Sequence, residues 1–218
     1  MTKQEIVVDG QRRSFFLYVP EGARGAEPAP LLVLLHGSGR DGASLIQTWK
    51  GLASKENIVL AGPNSRDPRG WSSPIDGPGF LREVVEAIKK DNAIDPRRVY
   101  LFGHSGGAVF ALGMSCLESR YFAAASAHAG AFRSAAEAAV VQNVPRKVPL
   151  QLIVGKQDPF FPVQAVEATR DLFVKAGFEV DLQEITGHDH NYYGISSSVN
   201  GLAWQFLKDK KLSLEPGP

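Results

Sequence analysis

The residues with the clearest chemical potential in this 218-residue chain surround Ser105. The string Gly103-His104-Ser105-Gly106-Gly107 fits the pattern G-x-S-x-G. It follows an apolar, strand-like segment and precedes a helical one rich in Ala, Leu and Met, which is the context that the motif requires. A tight strand-to-helix turn holds the serine hydroxyl at the positive end of a helix and leaves no room for side chains at Gly103 and Gly107. We therefore predict that Ser105 is a nucleophile rather than part of an ordinary Ser-Gly turn.

A serine nucleophile needs a base and a carboxylate that orients the base. For a nucleophile between a strand and a helix, these residues follow in the order Ser, acid, His. Asp158 comes shortly after the apolar segment 150–154. Catalytic groups collect at the edge of an open α/β sheet where the strands have their carboxyl ends. An Asp before a proline can also simply cap a turn, but its place after the strand favours Asp158 as the acid.

The chain offers five histidines as the base: His36, His104, His128, His188 and His190. The first three precede Asp158, so the chain order predicts that the base is His188 or His190 and leaves the choice open. His36 and His104 belong to glycine-rich motifs, where we expect them to hold loops through side-chain hydrogen bonds.

A second backbone donor besides the amide of Gly106 is needed to stabilise the oxyanion that forms during acyl transfer. The segment Leu35-His36-Gly37-Ser38-Gly39 follows a buried apolar run, at the position where the loop after the third strand supplies that donor. We predict that the amides of Ser38 and Gly106 together form the oxyanion hole.

These residues must be positioned by an alternation of strands and helices. Hydrophobic periodicity predicts strands at 5–8, 14–19, 31–35, 58–61, 99–102, 122–128, 150–154 and 179–184, and helices at 44–56, 79–90, 106–119, 163–176 and 199–210. This order favours an α/β fold with one mostly parallel sheet and helices on both faces. The segment 134–148 is too short for a lid domain and is expected to hold a small helix, so residues 1–218 are predicted to form a single domain.

Composition narrows the class of function. The 44% of apolar and 22% of charged residues are typical of a globular protein, and the net charge of +1 favours neither nucleic acid nor an anionic membrane as a partner. A single cysteine excludes an internal disulfide. The apolar run at 31–35 is far shorter than a membrane span, and residues 1–5 lack the apolar stretch of a signal peptide. We expect a cytoplasmic protein without membrane insertion.

These motifs together resemble the α/β-hydrolase superfamily of serine esterases, over nearly the whole chain. The similarity is closest to small esterases of the polyhydroxybutyrate depolymerase-like, feruloyl-esterase-like and S-formylglutathione-hydrolase-like groups. The most specific piece is the run of residues 95–100 into the nucleophile turn, and residues 15–20 resemble an opening strand of such esterases. The resemblance implies an α/β-hydrolase fold with an eight-stranded, mostly parallel sheet and no lid domain.

The same resemblance bears on the choice of the base. The string at residues 187–193 is similar to the "G-x-D-H-x-Y" segment of the S-formylglutathione-hydrolase-like group, whose histidine is the base; this carries the role to His190. The depolymerase-like "G-x-G-H" pattern would instead favour His188. With His190 as the base, His188 is expected either to support the site from behind or to lie at the rim of the substrate pocket. One departure is that the family's paired aspartates are replaced here by Asp76-Gly77.

We therefore expect a serine carboxylesterase that acts on small or medium esters or thioesters through an acyl-enzyme and needs no cofactor or metal. The predicted loops at the catalytic edge carry four aromatic residues that could shape its pocket: Trp71, Phe132, Phe160 and Phe161. Two alternatives remain. One is a catalytically silent hydrolase fold that only binds a ligand. The other is a metal-dependent hydrolase that uses His188 and His190, for which further ligands at suitable spacing are missing.

Overall fold

The computed structural model describes residues 1–25 and 27–213. Eight strands lie in this part of the chain: β1 (Thr2–Val8), β2 (Gln11–Tyr18), β3 (Ala29–Leu35), β4 (Val59–Pro63), β5 (Ile94–His104), β6 (Ala124–His128), β7 (Leu150–Gly155) and β8 (Val180–Ile185). The helices are α1 (Gly42–Glu56), α2 (Ser73–Asp76), α3 (Pro78–Asp91), α4 (Gly106–Leu117), α5 (Ala135–Ala139), α6 (Val163–Lys175) and α7 (Ser196–Leu207). Short 3₁₀ turns cover Glu21–Arg24 and Tyr192–Gly194.

The strands form one sheet in the order β1-β2-β4-β3-β5-β6-β7-β8. Strands β1 and β2 pair antiparallel, as do β2 and β4, whereas the pairs from β4 through β8 are parallel. The prediction of an eight-stranded, mostly parallel sheet of the α/β-hydrolase type is thus confirmed.

Strand β3 shows why the sheet needs helices on both sides. All seven of its residues are buried, and because successive side chains alternate between faces, Leu31, Val33 and Leu35 pack on one side. Leu32 and Leu34 pack on the other. Helices α3, α4 and α6 cover the first face, and α1 and α7 cover the second. A strand that is buried on both faces consists of consecutive apolar residues. The apolar run at 31–35 therefore predicts this strand from the sequence alone.

The observed boundaries differ from the predicted ones mainly at β5. This strand begins at Ile94 rather than at residue 99, because Ile94 pairs with Ala29 across a register shift in β3. The last helix runs from Ser196 to Leu207 instead of from 199 to 210, directly after the turn at Tyr192–Gly194. The predicted small helix in segment 134–148 is α5, which opens with a capping box between Ser134 and Glu137.

Candidate active site

Ser105 occupies the sharp turn between β5 and α4. Its backbone has φ 56° and ψ −121°, a combination that is strained for a residue with a side chain. A Cβ atom at Gly103 would lie 2.2 Å from the carbonyl oxygen of Gly107, and one at Gly107 would lie 2.0 Å from that of Leu35. Only glycine allows these close approaches, so the two flanking glycines permit the turn that presents Ser105 at the sheet edge.

A row of hydrogen bonds connects Ser105 with two distant residues. The Nε2 atom of His190 lies 3.0 Å from the Oγ atom of Ser105, and its Nδ1 atom lies 2.8 Å from the Oδ2 atom of Asp158. The Asp158 side chain is fully buried, while 21% of the His190 side chain is exposed. Among the sequence candidates, His190 is therefore the histidine that faces both the serine and the acid.

The loop after β7 holds the Asp158 carboxylate rigidly. Its Oδ1 atom accepts hydrogen bonds from the backbone amides of Phe160 and Phe161, at 2.8 and 2.9 Å. The other carboxylate oxygen is thereby left for His190. Since a carboxylate facing Nδ1 requires a proton on that atom, this contact leaves Nε2 as the acceptor for the Ser105 hydroxyl.

His188 lies in a different network. Its Nε2 atom is 3.1 Å from Nε2 of His128, whose Nδ1 atom is 3.0 Å from Nδ1 of His104. These three rings form a continuous chain of imidazoles beneath the active-site edge, and each is at most 6% exposed. We call His104, His128 and His188 the imidazole chain. Of the two places predicted for His188, the side chain does not reach the pocket rim; it packs inward against His128, behind the edge where Ser105 lies.

Burial keeps the imidazole chain neutral. Loss of hydration lowers the pKa of His104 to about 3, and the nearby His190 acts in the same direction. Burial also lowers the pKa of His128 far below 6.5, with the neighbouring imidazoles adding to the effect, and it lowers the pKa of His188. His104 also stacks against the buried ring of Tyr192, with centroids 5.1 Å apart. The imidazole chain thus supports the turn that carries Ser105 without placing a charge next to it.

The loop after β3 lies directly against Ser105. A Cβ at Gly37 would lie 3.4 Å from Cβ of Ser105, and one at Gly106 would lie 3.9 Å from the amide nitrogen of Ser38. In residues 1–25 and 27–213, the Ser38 amide donates to no protein acceptor. Gly106 and the Ser38 amide therefore lie near each other beside Ser105, where the oxyanion hole is predicted.

His36 holds this loop in place, as expected from the sequence. Its Nδ1 atom is 2.9 Å from the Gly37 carbonyl oxygen, and its Nε2 atom accepts from the amide of Ser65 at 3.3 Å. The backbone carbonyl of His36 accepts from the indole N–H of Trp71 at 2.8 Å. The loop after β3 and the loop that carries Trp71 are thus connected.

Two cavities flank Ser105. The first, about 410 Å³, is lined by Ser105 and His190 together with Ser38, Arg40, Phe160 and Tyr193 among others. The second, about 330 Å³, includes Gly106 in its lining and is otherwise lined mainly by apolar residues of α4, α5 and the loops before α2 and α5. Of the predicted pocket residues, Phe160 lines the first cavity and Trp71 and Phe132 line the second. Phe161 lines neither cavity; it is 7% exposed and its ring lies parallel to that of His190.

A buried ion pair that sequence reasoning missed organises the loop with Trp71. Asp76 stands at the first of the paired aspartates expected from the resemblance, with Gly77 in place of the second, and its carboxylate lies 2.5 Å from the Arg13 guanidinium. The same carboxylate accepts from the amides of Arg66 and Ser72 at 2.8 and 2.9 Å. Arg13 is 6% and Asp76 1% exposed. Asp76 therefore positions a loop from beneath, and it lines neither cavity.

Sequence reasoning also missed several residues that line the two cavities. On α4, Val109, Phe110 and Gly113 follow Gly106 at helical spacing and face the second cavity. The periodicity of i, i+3, i+4 and i+7 from the residue after the nucleophile is a signal that could have identified them. No comparable pattern marks Arg40 or Tyr193, which reach the first cavity from separate loops.

The residue types that can bind metals do not form a candidate metal site in the part of the chain that the structure describes. In the described ranges, no group of three or more His, Cys, Asp and Glu residues is arranged to hold a metal ion. His188 and His190, the pair suggested for a metal site, contact different partners. No helix in the same ranges has both the length and the apolar character that crossing a membrane requires.

The chain is similar in sequence to a known esterase and to a depolymerase. The chain is 30% identical to the proposed esterase NocK of Nocardia uniformis subsp. tsuyamanensis over 74% of its own length and 49% of the relative's. It is 31% identical to poly(3-hydroxyalkanoate) depolymerase C of Paucimonas lemoignei, over 53% of this chain and 30% of that protein. The chain thus spans half or less of the curated relatives it matches.

Solved structures establish the fold. The S-formylglutathione hydrolase of Agrobacterium tumefaciens superposes with a TM-score of 0.73 at 18% identity, covering 97% of this chain and 95% of that one. A family model described as Phospholipase/Carboxylesterase matches residues 80–197, which include the nucleophile turn, Asp158 and His190. Because this match covers more than half of the chain, the protein belongs to the phospholipase/carboxylesterase family of α/β-hydrolases.

Proposed function

We propose that this protein hydrolyses carboxylic esters or thioesters of small or medium size through a covalent acyl-enzyme. The observation that carries the proposal is the hydrogen-bonded row from Asp158 through His190 to Ser105, beside the paired amides of Ser38 and Gly106. Family membership supports the same class of reaction. A nucleophile, a base, an orienting acid and two oxyanion donors are the complete set of groups for acyl transfer.

Acylation begins with the Ser105 hydroxyl. His190 Nε2 takes the hydroxyl proton while Oγ forms a bond to the substrate carbonyl carbon, and the carbonyl oxygen becomes an oxyanion. The amides of Ser38 and Gly106 stabilise this charge. The His190 imidazolium then returns the proton to the leaving oxygen or sulfur as its bond to carbon breaks. The alcohol or thiol departs, and the acyl group remains on Ser105.

Deacylation repeats these steps with water. His190 accepts a proton from water, whose oxygen attacks the acyl carbon, and the second oxyanion occupies the same pair of amides. When the intermediate collapses, His190 returns the proton to Ser105 Oγ and the carboxylic acid is released. Asp158 keeps its charge throughout and stabilises the imidazolium that forms twice in each cycle. The cycle uses only side chains and amides of this chain, so no cofactor takes part.

The reaction is tested with Ser105→Ala and a fluorophosphonate probe. Wild-type protein should hydrolyse p-nitrophenyl acetate and bind the probe covalently, whereas Ser105→Ala should lose about 10⁶-fold in kcat and fail to react with the probe. Ser115→Ala is a suitable control, because Ser115 is buried on α4 and its hydroxyl donates to the Leu112 carbonyl. Near-wild-type hydrolysis by Ser105→Ala would overturn the mechanism. Wild-type protein that hydrolyses no ester and does not react with the probe would indicate a silent fold.

A further inference from the structure

The second cavity, which has Gly106 in its lining, is the feature from which we infer how the proposed substrate binds. We propose that this cavity, which we call the α4 cavity, holds an apolar acyl group and that Gly113 sets the length of acyl group that it accepts. This inference rests on the proposed ester hydrolysis. The inference adds two things to the proposed hydrolysis. It assigns the acyl group and the leaving group to different cavities, and it identifies a residue that determines specificity.

The position of His190 indicates which cavity receives the leaving group and which receives the acyl group. Because His190 must return a proton to the leaving atom, the leaving group has to lie beside its Nε2 atom. His190 lines the first cavity together with Phe160 and Tyr193, and it does not line the α4 cavity. The α4 cavity instead has Gly106 in its lining, the residue that follows Ser105 and supplies an oxyanion donor in the proposed mechanism. The acyl group bound to Ser105 therefore extends into the α4 cavity.

The walls of this cavity suit an apolar group. Trp71 stacks on Phe110 with ring centroids 4.9 Å apart and planes 16° from parallel, and Phe132, Val109 and Val140 also line the space. The bond from Trp71 Nε1 to the His36 carbonyl satisfies the one polar atom of the indole. The lining also includes one carboxylate, that of Glu137. It accepts from the amides of Arg133 and Ser134 at 2.6 and 2.9 Å, so it is already partnered.

Gly113 opens the cavity along the helix. It lies seven residues after Gly106, which places both residues on one face of α4. A Cβ at Gly113 would have no neighbouring atom within 4 Å, so a larger side chain there would enter the cavity without a clash at its base. Glycine inside a helix costs about 1 kcal/mol relative to alanine, and here it leaves room for the acyl group beside the helix.

The test is to fill the space with Gly113→Leu and, as a milder step, Gly113→Ala. One substrate series varies the acyl group from acetate to hexanoate and benzoate with p-nitrophenol as the constant leaving group. A second series keeps acetate and changes the leaving group from phenol to 1-naphthol. In Gly113→Leu, the ratio of kcat/KM for hexanoate to that for acetate should fall at least about tenfold, because a lost methylene contact is worth about tenfold or more. In Gly113→Ala, the ratio should lie between those of wild type and Gly113→Leu. The ratio across the leaving-group series should not change.

Gly51→Leu is the matched control. Gly51 also lies inside a helix with open space at its Cβ, but it is on α1, which covers the opposite face of the sheet. In Gly51→Leu, the ratios of kcat/KM across the acyl series should equal those of wild type. An unchanged acyl profile in both Gly113 variants, or a shift confined to the leaving-group series, would overturn the assignment. Reaction of Ser105 with a small fluorophosphonate verifies that each variant is folded. If wild-type protein lacks both ester hydrolysis and this labelling, the proposed function has failed rather than the assignment of the cavity.

Discussion

Acid should destabilise this protein through the imidazole chain, and His104→Asn should remove a defined part of that effect. An asparagine side chain places a polar atom near the position of Nδ1, so it can still bond to His128, but it does not titrate. The native contact between the two rings is 3.0 Å long and buried. We therefore compare the free energy of unfolding of wild type and His104→Asn at pH 7 and at pH 4.5.

The sign and size of the effect follow from the lowered pKa of His104, which is about 3 in the folded protein against 6.5 for an unperturbed histidine. Well above pH 6.5 the ring is neutral in both states and contributes no pH dependence. As the pH falls below 6.5, the unfolded chain binds a proton that the folded chain excludes, so stability decreases until the pH reaches the folded pKa. At about 1.4 kcal/mol per pH unit, the contribution of His104 between pH 7 and 4.5 is about 2.5 kcal/mol.

Urea unfolding followed by circular dichroism at both pH values measures this contribution. The loss of stability on acidification should be smaller in His104→Asn than in wild type by about 2 to 3 kcal/mol. Tyr192→Phe is the control: it removes hydroxyl bonds to Thr48 and Asn200 beside His104 but no group that titrates in this range. It should lower stability equally at both pH values. An equal acid loss in wild type and His104→Asn would refute the argument that burial keeps His104 neutral.

Two further predictions concern the base and the buried ion pair. His190→Ala should reduce kcat about as severely as Ser105→Ala, because the groups of a triad act as a unit, whereas His188→Ala should retain measurable activity, since its ring contacts His128 rather than Ser105. The opposite pattern in p-nitrophenyl acetate assays would make His188 the base. Asp76→Ala should lower the free energy of unfolding by about 3–5 kcal/mol, because it leaves the buried Arg13 charge without its partner. Asp67→Ala, which breaks the exposed pair with Arg69, should hardly change the urea midpoint. Similar losses of unfolding free energy in Asp76→Ala and Asp67→Ala would contradict the argument that burial makes loss of the Arg13–Asp76 pair costly.

The local features of the chain were predictable from the sequence. The run of five apolar residues at 31–35 predicted a strand buried on both faces, and the glycines around Ser105 predicted its tight turn. The position of Asp158 at the sheet edge followed from its place after β7. Such signals are readable because hydrophobic period, chain order and turn chemistry are properties of neighbouring residues.

The chain order also determined that the base had to be sought after Asp158, but only the family resemblance favoured His190 over His188. His188 and His190 are only two residues apart, and the geometry that distinguishes them depends on contacts with β5, β6 and the loop after β7. His190 contacts a serine 85 residues away and His188 contacts a histidine 60 residues away. The same holds for the Arg13–Asp76 pair, whose members are 63 residues apart. Contacts across such separations are set by how the whole sheet brings strands and loops together, so they were decided only by the tertiary structure.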